Sequence, residues 1–218
     1  MEAPMRIGLI GMSGAGKTSW ALKLAAAGFH HIDCDRQIAA KLSAALDIPL
    51  TTMDDLGVWL GYPYEAGFRD REARFLVCEI AVLSEIADLL AQRGGHTQNL
   101  VVDMGGSAIY AGKARFLQLR QLMTVVYLAV PREAHTRMLH EYLRRPRPLI
   151  WRGQFRTKRN EPHSAALARC YPKLIAFRER RYEALCDLRL DYQLHQRADL
   201  RAENFLRLVR DASGKVKP

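Results

Sequence analysis

Eight residues near the amino end, Gly11-Met12-Ser13-Gly14-Ala15-Gly16-Lys17-Thr18, constrain this chain more than any other stretch. They satisfy G-x-x-x-x-G-K-[ST]. They stand between an apolar run, Arg6–Ile10, and a helical pattern that starts at Lys17 and stops at Gly28. Glycines let several backbone N–H groups converge on one anion without Cβ clashes, and the first helical turn adds partial positive charge. A strand, a glycine loop and a helix opening on Lys-Thr therefore predict a phosphate cradle. In such a cradle Gly11, Ser13, Gly14, Ala15, Gly16 and Ser19 line a nucleoside triphosphate. Lys17 reaches the β- and γ-phosphates as a catalytic cation, and the Thr18 hydroxyl ligates Mg²⁺. A ligand-free glycine turn would give the Lys-Thr pair no packing purpose.

The same alternation continues along the chain. Strands are expected at 30–33, 100–104, 124–130 and 188–194. Helices are expected at 36–46, from Thr51 or Thr52 to 59, and at 65–92, 114–123, 131–143, 165–186 and 199–211. Gly94-Gly95 should stop the longest helix, and Pro172 should break the helix that contains it. Strands alternating with helices imply a parallel sheet with right-handed crossovers. No repeat or low-complexity linker divides the pattern. Residues 1–212 are therefore expected to form one α/β domain, with 213–218 as a flexible tail.

With 218 residues, 49% of them hydrophobic, the chain can bury a real core. No apolar run approaches the ~20 residues of a membrane span, and the first residues lack a secretory pattern. The four cysteines (Cys34, Cys78, Cys170, Cys186) are far apart and form no CxxC pair. A cytoplasmic protein with reduced thiols, no disulfide framework and no membrane partner is expected.

The net charge of +10 is local. Residues 132–181 hold fourteen Lys/Arg against four Glu, and elsewhere bases and acids cancel. Such a field attracts phosphates, carboxylates or nucleic acid, unless it is only a solvated basic face. Within it, Arg144 to His163 is rich in Arg, Pro, Gly and Lys and reads as a mobile loop.

Three further clusters carry chemistry. Asp33-Cys34-Asp35 ends the second strand, where ligands of open parallel sheets sit. Asp33 suits a metal there, and Asp35 suits either a substrate hydroxyl or a helix cap. Phe68-Arg69-Asp70-Arg71-Glu72 places Arg69 and Glu72 on one helical face, so Glu72 is expected to steady a guanidinium that grips a carboxylate; the alternative is a surface ion-pair ladder. Asp103-Met104-Gly105-Gly106-Ser107 follows the third main strand. It offers a metal-organising acid and a close backbone approach, or else a plain turn.

In this order, Gly11–Thr18, Ile32-Asp33-Cys34-Asp35, Phe68-Arg69-x-x-Glu72, Gly105-Gly106, Arg147-Pro148-Leu149 and Arg178-x-x-x-Tyr182 resemble shikimate kinase. That family is a small branch of the nucleoside-monophosphate-kinase-like P-loop proteins, and the resemblance spans residues 6–191. It implies a P-loop NTPase fold: a five-stranded parallel sheet of order 2-3-1-4-5 flanked by helices. It also implies an acceptor-binding segment at 34–75, a mobile basic lid at 144–164, and the use of ATP and Mg²⁺. By resemblance, Thr18 and Asp33 hold the metal, with Asp103 a further candidate. Asp35 binds and helps activate the acceptor hydroxyl. Arg69 and Arg178 clamp the acceptor carboxylate, Gly105 and Gly106 lie against its ring, and Arg147 stabilises the transferring phosphoryl group. The chain departs from the family at Ser107, where a third glycine is usual. It is also longer between Asp35 and Arg69, between Arg69 and Gly105, and in the lid. Arg144 or Arg145 is the candidate to stack on adenine.

The expectation is thus an ATP-dependent kinase, monomeric, acting on a hydroxyl of a small carboxylic acid, shikimate first. One alternative keeps the architecture and changes the acceptor to a nucleotide or sugar acid. Another is a nucleic-acid-associated NTP-binding protein, with the Arg-rich stretch following phosphates and Trp151, Phe155 and Tyr171 stacking on bases. A catalytically silent nucleotide-binding partner is disfavoured by the set Lys17, Thr18, Asp33, Asp35 and Arg69. The chain has no Asn-Lys-x-Asp guanine-reading motif.

Overall fold

A computed structural model describes residues 4–92, 98–145 and 147–213. The apolar runs pair as one parallel sheet of β1 (Arg6–Ile10), β2 (His30–Asp33), β3 (Leu100–Asp103), β4 (Thr124–Leu128) and β5 (Leu188–Leu190). Their spatial order is β2-β3-β1-β4-β5, as expected. β3 is buried at every position and β1 and β4 at all but the first, the pattern of strands covered on both faces.

The helices are α1 (Lys17–Ala26), α2 (Cys34–Leu46), α3 (Met53–Leu60), α4 (Phe68–Ala91), α5 (Lys113–Leu122), α6 (Ala134–Arg144), α7 (His163–Leu185), α8 (Tyr192–His195) and α9 (Ala202–Ser213). Register fixes the working edge. Asp103 lies level with Leu9 on one side and Asp33 on the other. The loops leaving β1, β2 and β3 therefore open side by side at the carboxyl ends of the strands.

Several boundaries differ from expectation. α2 starts at Cys34, because Asp33 is its cap and accepts a 3.0 Å hydrogen bond from the Arg36 N–H. α3 begins with a full capping box between Thr52 and Asp55. α4 starts at Phe68, three residues later than the pattern suggests, and α6 at Ala134 after a turn at Pro131. Gly94-Gly95 and residues 214–218 lie outside the described residues.

α7 runs unbroken through Pro172. Cys170, Tyr171, Leu174 and Ile175 are all buried around it. Large side chains gain about 1.5–3 kcal/mol each on burial, which together outweighs the ~3 kcal/mol of one interior proline. The run 188–194 is a strand only to Leu190, and its second half forms α8.

That carboxyl-terminal segment braces the first helix. Trp20 stacks on Phe205 at 4.4 Å and donates its indole N–H to the His195 carbonyl at 3.0 Å. The His195 ring bonds the Ala129 carbonyl at 2.8 Å, and the Gln196 amide nitrogen lies 3.5 Å from the Ala15 carbonyl. Among the described residues no helix is long and apolar enough to cross a membrane.

Candidate active site

The glycine loop is folded around its own lysine. Lys17 is buried, and its ammonium donates to the Gly11 carbonyl at 3.2 Å and the Met12 carbonyl at 3.1 Å. Met12 and Ala15 anchor the loop in the core, while Ser13, Gly14, Thr18 and Ser19 face outward. No side chain caps the start of α1, so its first N–H groups point toward the open side of the loop. Burial lowers the Lys17 pKa, and the Asp103 and Asp35 carboxylates work against that shift.

Thr18 donates its hydroxyl to Asp103 at 2.6 Å. Burial raises the Asp103 pKa, opposed by Lys17 and by this hydrogen bond. Asp103 is thus the acid that organises Thr18, and Asp33 stands beside it in register while also capping α2. Among the described residues no group of three His, Cys, Asp or Glu is placed to hold a metal alone. A hydroxyl, flanking carboxylates and an open phosphate loop nevertheless fit Mg²⁺, which keeps waters and takes phosphate oxygens as ligands.

On the acceptor side, Asp35 is half-buried. Burial raises its pKa to about 6, with Lys17 opposing and Asp103 and Asp33 adding to the rise. The glycine pair explains itself by close approach. A Cβ on Gly105 would sit 2.8 Å from Asp35 Oδ1 and 3.0 Å from Glu79 Oε1; one on Gly106 would sit 3.2 Å from Arg178 Nη1. Arg178, only 3% exposed, donates to the Ile150 carbonyl at 2.6 Å and lies over the Tyr110 ring at 5.6 Å. Tyr182 donates to the Gly106 carbonyl at 2.6 Å.

The structure thus brings Lys17, Thr18, Asp33, Asp35, Asp103, Gly105, Gly106 and Arg178 to one edge of the sheet. It adds Glu79, which sequence reasoning passed over. The signal was present: Glu79 follows Phe75 and precedes Leu83 by four residues each, on the apolar stripe of α4.

The Arg69–Glu72 pairing does not form. Glu72 accepts from the N–H groups of Trp151 at 2.6 Å and Arg152 at 2.9 Å, so it anchors the backbone of that loop. Arg69 is exposed and makes no ion pair or hydrogen bond among the described residues. The guanidinium tied down here is Arg71, held by Glu65 and the Leu60 and Ala66 carbonyls. A buried carboxylate meets unpaired lid N–H groups better than it meets an exposed guanidinium that water already solvates.

Within the stretch expected to form a lid, Ile150 and Trp151 are buried. Arg147 stays exposed and lines a cavity of about 340 Å³ with Ser13, Gly14, Arg137 and Tyr171. Arg145 forms an ion pair with Asp54, which commits one of the two candidate adenine-stacking arginines elsewhere. Glu72→Ala is expected to lower stability by about 2–3 kcal/mol through the two N–H groups it orphans. Trypsin should then cut faster after Arg152; equal urea midpoints and equal cutting rates would refute the anchor.

A parallel 2-3-1-4-5 sheet with a glycine loop after its central strand defines a P-loop NTPase-like fold. Solved structures of shikimate kinases share it. The chain is 22% identical to shikimate kinase from Acinetobacter baumannii in complex with shikimate, covering 98% of this chain and 96% of that one at a TM-score of 0.55. Against shikimate kinase from Bacteroides thetaiotaomicron the identity is 19%, the coverage 97% and 96%, and the TM-score 0.52. Against the enzyme from Aquifex aeolicus the values are 17%, 97% and 96%, and 0.50. At these identities the likeness is one of fold. The sequence matches no protein-family model and no curated protein.

Proposed function

We propose that this chain is an ATP-dependent phosphotransferase that moves the γ-phosphate of ATP to a hydroxyl of a small carboxylic acid, with shikimate the first acceptor to test. The observation that carries the reading is the convergence on Gly105-Gly106. A half-buried carboxylate, Asp35, approaches from one side and a buried guanidinium, Arg178, from the other, beside the phosphate loop. A carboxylate able to meet a hydroxyl and a guanidinium able to meet a carboxylate, so close together, support this reading.

Each residue then has a task. Lys17 leaves the carbonyls of Gly11 and Met12 for phosphate oxygens. Thr18 and Asp103, with Asp33, would hold Mg²⁺, which when bound would supply charge neutralisation at the phosphates. Asp35 orients the acceptor hydroxyl and takes up its proton. Arg178 grips the carboxylate, with Arg69 free to swing in from α4, and Arg147 closes over the phosphates from the lid. Catalysis is then largely positioning and charge, since the transition state is loose and anionic.

Asp35 acts as an acceptor of the proton only when ionised. With its pKa raised to about 6, kcat/KM for the acceptor should climb as pH rises through about 6 and level above it. A flat profile between pH 5 and 7.5 would remove Asp35 from that role. The decisive screen is ATP consumption with shikimate, D-gluconate and nucleoside monophosphates, against a control without acceptor. Turnover with shikimate alone supports the leading reading; turnover with gluconate or a nucleotide moves it to the same-fold alternative.

The nucleic-acid reading loses two of its three stacking candidates. Trp151 and Tyr171 are buried and pack edge to face at 6.3 Å, and Trp151 meets Phe155 edge-on at 5.5 Å. Bases need an exposed aromatic face.

A further inference from the structure

Two side chains that reach the glycine pair each keep a buried polar atom without a hydrogen-bond partner: Glu79 Oε2 on α4 and Arg178 Nε on α7. Glu79 is 1% exposed, and its other oxygen accepts from the Ser107 hydroxyl at 2.8 Å. The Ser107 bond fixes the direction of the carboxyl, so that Glu79 Oε1 and Asp35 Oδ1 reach the same point above Gly105, at 3.0 and 2.8 Å. Buried polar atoms in folded proteins are paired as a rule, and an exception inside a binding space marks where a ligand atom belongs.

We propose that Glu79 reads a second hydroxyl of the acceptor, so that the site selects polyhydroxy acids over acids that carry only the hydroxyl to be phosphorylated. This rests on the function proposed above. Asp35 takes the reacting hydroxyl, and Glu79, beside it, takes a neighbouring one. A hydroxyl suits the position because it meets the carboxyl without adding charge to a space that already holds Lys17, Arg178 and Asp35. A hydroxyl also serves both forms of the carboxyl, donating to the ionised one and accepting from the protonated one. Burial raises the Glu79 pKa to about 8, with the Ser107 hydrogen bond opposing and the Asp35 carboxylate adding, so both forms are accessible near neutrality.

The test compares kcat/KM for shikimate and D-gluconate with that for monodeoxy analogues that keep a phosphorylatable hydroxyl. Wild-type protein should prefer the parent over one analogue by about 10²-fold or more, since a site built around a hydroxyl leaves its own polar groups unpaired when the hydroxyl is missing. Glu79→Leu should bring that ratio toward unity, whereas Glu79→Gln, still able to hydrogen-bond, should keep most of it. ATP affinity by calorimetry should be unchanged in both. Glu79→Met replaces the leucine variant should that one fail to fold. A purely structural role predicts that parent and analogue fall together, and an unchanged ratio in the apolar variant overturns the proposal. If wild-type protein turns over neither acid, the acceptor reading falls and this proposal with it. If wild-type protein is active and the ratio does not move, only the role of Glu79 falls.

Discussion

Lys17→Ala is expected to cut kcat for phosphoryl transfer by two to three orders of magnitude, equivalent to losing about 3–4 kcal/mol of transition-state stabilisation. The effect is large because the ammonium is already inside the loop, 3.2 and 3.1 Å from two carbonyls that it exchanges for phosphate oxygens. It needs no search through side-chain conformers to reach the transferring group. A coupled ATP assay measures the loss, and a thermal melt checks that the core around Met12 and Ala15 survives. Near-normal kcat in the variant would show that this loop does not serve phosphoryl transfer.

The second large effect is on stability. The Glu79 pKa rises from an ordinary value of 4.5 to about 8 on folding, chiefly through burial. A raised carboxyl pKa means that the folded state binds the proton more tightly than the unfolded one, so stability falls as pH rises. The penalty is absent below pH 4.5, builds between 4.5 and 8, and is complete above about 8. Glutamine is neutral throughout. Glu79→Gln should therefore stabilise the protein at pH 8.5 by roughly 3–5 kcal/mol, with the gain shrinking toward pH 5. Parallel melting curves for the two proteins across that range would refute the buried, unsatisfied carboxyl. Such a cost, sitting where a ligand is expected, is the usual exchange of stability for function.

What could be read from the sequence was local. The strand, glycine loop and Lys-Thr opening of α1 are contiguous, so Gly11–Thr18 carried its own context; the alternation of apolar runs was enough for a parallel sheet, while its order followed only from the resemblance to shikimate kinase. What escaped depends on contacts between distant segments. Nothing in Phe68-Arg69-Asp70-Arg71-Glu72 announces that Glu72 will meet the N–H groups of Trp151 and Arg152, 79 and 80 residues away. Pro172 looked like a break because propensity is a local quantity and the burial that overrides it is not. The departure at Ser107 became intelligible only with Glu79 in view, since the hydroxyl in place of a third glycine is the donor that Glu79 holds. Asp33 and Asp35 divided their work through backbone geometry: the cap falls on the first of them, which leaves the second turned toward the loop.

The bracing of α1 has a consequence for how the chain matures on the ribosome. The glycine loop emerges long before its brace, since the carbonyl that receives the Trp20 indole N–H is 175 residues further along. At ordinary elongation speeds that gap lasts roughly 10–35 s. Until that segment is made, the nascent polypeptide carries the complete Gly11–Thr18 signature beside an indole that still lacks the Phe205 ring and the His195 carbonyl. A chaperone that shields aromatic surface would find its target there, and a chain stopped after β5 would carry the signature and all five strands but lack the brace on α1.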